Sequence, residues 1–335
     1  DKMREAIRLR REQGMQSFLY FQSFELWDQY AEKHFADDIA RGRSGGAHPA
    51  WYNCNLMNPD PAFGWGKYVA AQIARVPQEY PTLDGIFYDR DDYRYYDYAH
   101  DDGVTMDLDA PVYMLGFAQQ QMNDVVTGVL REHKMGIFTN GPTSVEVVKH
   151  IDGVMCEMNS IAACLQYLGL ARPMTLLPYF FDTKSYDATP RNTEEKIKSA
   201  LGMGYFPSLT YGDELCKQID ARYKPLFALM KDREWVLSPR PLALPEGIGG
   251  NIFRTPNKNY LVAVIDFDKS VVAGDTPTQN VTVGINVPDA GRIRTCRLLS
   301  GDGLPEHTLP ITREGNTVTA TIPEHLMCSL VVFAE

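Results

Sequence analysis

Two stretches of this chain run from Asp-Gly through an apolar tripeptide to an acid: Asp84-Gly-Ile-Phe-Tyr-Asp89 and Asp152-Gly-Val-Met-Cys-Glu157. Each reads as a short buried strand with a carboxylate at its C-terminal end. A third stretch of the same build, Met135-Gly-Ile-Phe-Thr-Asn-Gly-Pro142, lies between them. At the C-terminal strand ends of an α/β barrel, two carboxylates from different strands can divide the work of glycoside hydrolysis. One protonates the leaving oxygen, and the other attacks the anomeric carbon or activates water. A lone strand-end Asp is often a helix N-cap or an arginine's partner instead. The matched design of the two strands is what singles out Asp89 and Glu157 as catalytic candidates.

The elements that would position them follow a regular rhythm. A basic amphipathic helix over 1–13 is ended by Gly14, and 15–24 reads as a buried strand. A loop of Gly, Pro, Asn and aromatics over 42–58 leads to a helix opening at 59–75. Strands are then expected at 84–89, 135–140, 152–157, 173–180 and 205–211, with helices at 111–133, 143–150, 160–170, 192–202 and 213–231. Strands alternating with helices imply a parallel sheet. That gives six strands where a closed barrel of this type has eight, so the first two are expected to lie in an N-terminal region of the parent protein outside this chain. From about Trp235 the character changes. The Pro-rich Ser238-Pro-Arg-Pro-Leu-Ala-Leu-Pro245 precedes short alternating segments at 260–267, 279–287, 293–299, 317–322 and 329–333, the pattern of an antiparallel β-sandwich. The expected organisation is therefore α/β: a TIM-type (β/α)-barrel domain over 1–234 and a β-sandwich over 235–335.

Other strand-end and loop residues are candidates for binding a sugar. Asn140 and Asn159 can bond hydroxyl groups, although an Asn before Gly is equally a turn residue. Trp51, Tyr52, Asn53, Asn55 and Trp65 surround the early loop, where indole faces stack on sugar rings or simply pack helix against loop. Asp182 and Tyr211 end the last two strands. Arg90 is a possible cationic neighbour of Asp89, but as the next residue it would point to the opposite side of the strand. Asp92 replaces Asp89 as the candidate if the strand ends later. His100, in an acid-rich loop that also holds Asp97, Asp101, Asp102, Asp107, Asp109 and five tyrosines, is expected at the surface.

With 44% hydrophobic and 23% charged residues in 335, the composition is that of an ordinary globular protein, and no apolar run reaches membrane-spanning length. A net charge of −10 argues against a nucleic-acid partner. The six cysteines have neither Cys-x-x-Cys spacing nor histidines at metal-ligand spacing, so no metal, cofactor or disulfide framework is called for. No signal peptide starts the chain; a single Asn280-Val-Thr282 sequon fits a secreted or periplasmic protein. There is no nucleophile elbow, P-loop or dinucleotide fingerprint, and Gly247-Ile-Gly-Gly250 is the nearest glycine-rich stretch.

With the missing pair counted, Asp89 ends strand four and Glu157 strand six. On Leu83–Asp89, 152–159 and 15–24, the chain resembles the α-galactosidase and α-glucosidase-like barrels of glycoside hydrolase families 27, 31 and 36 and uncharacterised bacterial relatives. The resemblance implies a nucleophilic Asp at strand four, here Asp89, an acid/base at strand six, here Glu157, and a sandwich after the barrel. Those families generally use Asp as the acid/base, and Arg90-Asp91-Asp92 is not their usual continuation. The expectation is a glycosidase, with retention, acting on an oligo- or polysaccharide. Two rivals remain: a non-catalytic carbohydrate-binding or structural protein on a degenerate barrel, and an endo-acting hydrolase of amino-sugar polymers that uses another carboxylate pair.

Overall fold

The computed structural model describes residues 2–90, 95–140, 145–157, 169–170, 172–177, 187–208 and 211–335. The chain forms two compact units, Asp1–Met155 and Cys156–Glu335.

In the first unit, helix α1 (Lys2–Glu12) buries only Ile7 and knits its outer face with Arg8–Glu5 and Arg8–Glu12 pairs. Gly14, at φ +74°, ends it as expected. The strands β1 (Phe18–Phe21), β2 (Gly85–Tyr88), β3 (Gly136–Asn140) and β4 (Gly153–Cys156) run parallel, with Phe18 opposite Gly85, Gly85 opposite Gly136, and Gly153 opposite Phe138. The first is shorter than the expected 15–24, because the chain turns away after Phe21 and Glu25–Trp27 pairs instead with Cys54–Leu56.

The repeated Asp-Gly now has a physical reason. The Oδ2 of Asp84 accepts from Ser17 N at 2.8 Å, and that of Asp152 accepts from Ile137 N at 2.9 Å, so each Asp holds a backbone N–H of the neighbouring strand. Arg131 clamps Asp152 from outside through both of its oxygens. The glycines are required by close approach. A Cβ on Gly85 would lie 2.1 Å from the carbonyl oxygen of Gly136, and one on Gly153 would lie 2.4 Å from the Phe138 ring.

Helices α2 (Gly64–Glu79) and α3 (Leu115–Glu132) pack against each other. The expected 59–75 helix starts later, since Asp60 uses Oδ1 to accept from Ala62 N and so shapes a turn. Likewise 111–114 is not helical. Tyr113–Met114 pairs antiparallel with Tyr96–Asp97, and Ala110–Pro111 with Met106–Asp107.

In the second unit, β5 (Met174–Leu176) and β6 (Phe206–Pro207) are parallel, and parts of the expected strands 173–180 and 205–211 lie outside the described residues. Helix α4 (Pro190–Met203) is capped by Thr189, whose side chain accepts from Asn192 N, has Pro190 in its first turn, and ends at the left-handed Gly204. Helix α5 (Glu214–Leu229) is capped by Asp213 through Cys216 N. Asp187–Ala188 pairs parallel with Tyr211–Gly212, and from Glu234 onward the described chain forms two antiparallel sheets. One runs in the order Glu234–Trp235, β7 (Ile248–Arg254), β8 (Tyr260–Asp266), β13 (Cys328–Ala334), β10 (Thr295–Ser300), His307–Thr308. The other runs Leu242–Ala243, β9 (Thr278–Asn286), β12 (Thr317–His325), β11 (Ile311–Glu314). Val262, Val264, Val283, Ile285, Ile322, Val331 and Phe333 belong to the buried core they share. His325 is fully buried there, its Nδ1 3.1 Å from Ser329 Oγ and its Nε2 without a partner.

Within this unit α4 and α5 are fastened to the sandwich by polar bonds. Lys198 Nζ donates to Phe267 O at 2.9 Å, Glu194 accepts from Ser270 Oγ and Val272 N, and Asn251 donates to Gly202 O. Buried Asp302 accepts from Tyr223 OH and from the backbone N–H groups of Met327 and Cys328. Glu194 and Lys198 are each 1% exposed, so these are interior bonds.

Candidate active site

The site is built on the C-terminal ends of β1, β2 and β3. Asp89 continues β2 by one residue, its N–H donating to Phe21 O at 2.8 Å. Its carboxylate is held from three sides. Oδ2 accepts from Tyr20 OH at 2.5 Å, while Oδ1 accepts from Asn140 Nδ2 at 2.8 Å and from Arg90 N at 2.9 Å. Together the three donors fix the orientation of the carboxylate. Burial, and then the hydrogen bond and charge of Asp89, push the Tyr20 phenol up, so it remains protonated as the donor.

Beneath the carboxylate the floor is rigid. Thr139 Oγ1 donates to Tyr88 O at 2.8 Å, Tyr88 OH donates to Ser23 Oγ at 2.7 Å, and Trp65 Nε1 donates to Ser23 O at 2.6 Å. This chain settles the role of Trp65. It is 5% exposed, stacked on Tyr68 and set edge-on to Phe35, so it packs helix against loop and presents no face to a ligand.

Arg90 serves Asp89 differently from the expectation. It adopts φ +61°, gives its backbone N–H to the carboxylate, and lays its guanidinium 5.8 Å above the Trp51 ring. Trp51 itself is 59% exposed beside an almost bare Tyr52, a flat aromatic surface at the loop tip. Asn53, at φ +60°, is exposed, and its carbonyl accepts from Asp28 N, making it a turn residue. Of the residues proposed from sequence, the structure therefore brings Asp89, Arg90, Asn140 and Trp51 together, and leaves Trp65 and Asn53 to architecture.

Glu157 follows β4 directly, half-buried in the second unit, where the preceding Cys156 accepts from Leu177 N at 2.8 Å. Asp92, Asn159 and Asp182 lie outside the described residues, as does the side chain of Tyr211. Tyr20 is the hydrogen-bond partner of Asp89 that sequence reasoning missed. Its signal was a polar aromatic one residue before the end of the strand beside Asp89, within a run that otherwise reads as core.

His100 is not the surface residue expected. Its Nδ1 is 2.6 Å from the fully buried Asp97, and its ring rests 4.5 Å from that of Phe63. Burial opposes the charge of Asp97, yet hydrogen bonds from His100, Arg41 N and Ala99 N outweigh it and hold the carboxyl below its ordinary range. The bond to Asp97 raises the His100 pKa in turn. Asp102 is pulled down to about 2: burial opposes this, but the N–H groups of Met114, Thr105 and Val104 and the Thr105 hydroxyl prevail. The acid-rich loop is thus partly a scaffold that folds around its own carboxylates.

No family model and no curated protein matches the chain in sequence. Solved structures do match it in shape. A cycloisomaltooligosaccharide glucanotransferase from Paenibacillus sp. aligns over 98% of this chain and 74% of its own, with a TM-score of 0.70 at 12% identity. An α-L-fucosidase from Paenibacillus thiaminolyticus aligns over 98% and 89%, with a TM-score of 0.69 at 9% identity. A family 27 β-L-arabinopyranosidase from Geobacillus stearothermophilus aligns over 99% and 77%, with a TM-score of 0.57 at 9% identity. The fold is one that glycoside hydrolases use. It is a mixed α/β fold shared with TIM-barrel glycosidases that carry a C-terminal β domain, and the resemblance read from the Asp-Gly strands points to the same group. No helix among the described residues is long and apolar enough to cross a membrane.

Proposed function

We propose that the protein hydrolyses O-glycosidic bonds in an oligo- or polysaccharide, with Asp89 as nucleophile and Glu157 as acid/base, and with retention of anomeric configuration. The observation that carries this reading is the carboxylate of Asp89, one residue past a parallel strand, with both oxygens fixed in place by hydrogen bonds. In a retaining mechanism that carboxylate attacks the anomeric carbon while a protonated acid delivers its proton to the leaving oxygen. Water then releases the sugar, and the same acid acts as base. Tyr20 and Asn140 orient the attacking oxygens, and the exposed Trp51, steadied by Arg90, offers a face to a sugar ring. The fold-level likeness to glycosidases supports the reaction class by analogy. We propose further that the parallel strands belong to a barrel domain over 1–234 that is followed by a sandwich domain over 235–335.

The test begins with a panel of aryl glycosides and oligosaccharides to find a cleaved substrate, with the first-formed anomer read by NMR. Asp89→Asn should remove nearly all turnover while leaving the melting temperature within a few degrees. Glu157→Gln should spare substrates with good leaving groups far more than natural glycosides. Full activity in both variants would end the proposal. Sugar binding without cleavage of any substrate would favour the carbohydrate-binding alternative.

A further inference from the structure

A cavity of about 300 Å³ lies in the second unit at the N-terminal end of β5, between Gly169, Leu170, Arg172 and Pro173 on one side and the segment Lys231–Arg233 with Trp235, which leaves α5, on the other. It is unrelated to the Asp89 site. Among the described residues that line it are three cations, Arg172, Lys231 and Arg233, and one acid, Asp232. Arg233 is the telling residue. Its guanidinium is wedged 4.7 Å from the Phe206 ring centre and 5.5 Å from that of Phe253. Its Nη1 donates to Met230 O at 3.3 Å and its Nε is buried without an acceptor, and no ion pair of Arg233 with a carboxylate occurs among the described residues. Burial lowers its pKa to about 10, which leaves it charged at neutral pH. A desolvated cation without a counter-charge is unfavourable unless something supplies one.

The walls suit a ligand rather than a second ion. Trp235 ties the two sides together by donating Nε1 to Gly169 O at 3.1 Å, which fixes its ring as a wall, and Leu170 and Pro173 add apolar surface. The volume is at the small end of ordinary small-molecule sites. We propose that this cavity binds a small anionic molecule, its carboxylate or phosphate oxygens accepting from Arg233 and Lys231 and its body resting on Trp235 and Leu170. The site stands independently of the glycosidase reading, because none of its residues belongs to the Asp89 cluster.

The experiment is isothermal titration of the whole chain with inorganic phosphate and with D-glucuronate at constant ionic strength, with D-glucose as the neutral control. Saturable binding of at least one anion and none of glucose is expected, and the preferred anion identifies phosphate or carboxylate as the natural group. Lys231→Glu changes an exposed side chain, so it should fold normally and weaken binding about tenfold or more. Arg233→Lys should weaken it further by losing the planar fork. The proposal is overturned if neither anion saturates, if glucose binds as well, or if Lys231→Glu binds with wild-type affinity.

Discussion

The buried His325 makes the stability of the second unit depend on pH in a calculable way. Burial lowers its pKa from 6.5 to about 4, opposed only in part by the charge of Asp266. In the unfolded chain the imidazole takes a proton below its ordinary value of 6.5, whereas in the folded chain it stays neutral until the pH nears 4. Its contribution is therefore intact above pH 6.5 and is lost as the pH falls toward 4. The slope in that window is at most about 1.4 kcal/mol per pH unit, and the loss between pH 7.5 and 5.0 integrates to about 2 kcal/mol. The assay is urea denaturation of the wild type and of His325→Leu at both pH values. The variant removes the titrating group while keeping an apolar side chain in the core, so other acids contribute equally to both proteins and cancel. The stability difference between the proteins should move by about 2 kcal/mol in favour of the variant at the lower pH. Parallel pH profiles for the two proteins would refute the argument, because they would mean that His325 is hydrated or already charged in the fold.

Two further substitutions probe the polar anchors. Tyr20→Phe removes one charge-assisted donor from Asp89 and leaves two; it should lower kcat/KM on a cleaved glycoside about tenfold, equivalent to about 1.4 kcal/mol, with an unchanged melting temperature. An unchanged kcat/KM would show that Asn140 and Arg90 N suffice. Asp302→Ala strips the acceptor from Tyr223 OH and from the Met327 and Cys328 N–H groups, all buried, and should cost about 3 kcal/mol in denaturant titration. A loss below about 1 kcal/mol would mean that water replaces the carboxylate.

The sequence made the parallel strands legible because each carries its own punctuation. Asp84-Gly85 and Asp152-Gly153 mark strand starts by a backbone bond and a steric requirement that no other residue pair meets as well. Helices α4 and α5 were legible for the same reason, through Thr189-Pro190, Gly204 and Asp213. The strand β7 was not, since its Gly249-Gly250 reads as a turn. In the fold those glycines lie flat under Phe267 and against Ala263 O, where a Cβ would sit 2.6 Å and 2.0 Å from its neighbours. Asp89 and Asn140 could be named because strand ends are visible in hydrophobic runs. Tyr20 could not, because whether an aromatic at a strand end faces core or carboxylate depends on the neighbouring strand's register. The fate of Trp65 was equally hidden: indole at a helix start suits a sugar or a core, and only the position of Ser23 O decides.

The bonds from Glu194, Lys198, Asn251 and Tyr223 bear on how such a protein can be taken apart by evolution or by proteases. An appended module that is joined by one linker can be lost, duplicated or grafted elsewhere with little harm to its host. Here the last two helices present charged and polar groups that bond to the loops and strands of the sandwich. Deleting the sandwich would strip Glu194 of its Ser270 and Val272 donors and leave Lys198 with Glu195 of its own helix but without Phe267 O. An exchange of C-terminal domains would break these bonds unless α4 and α5 crossed with the graft.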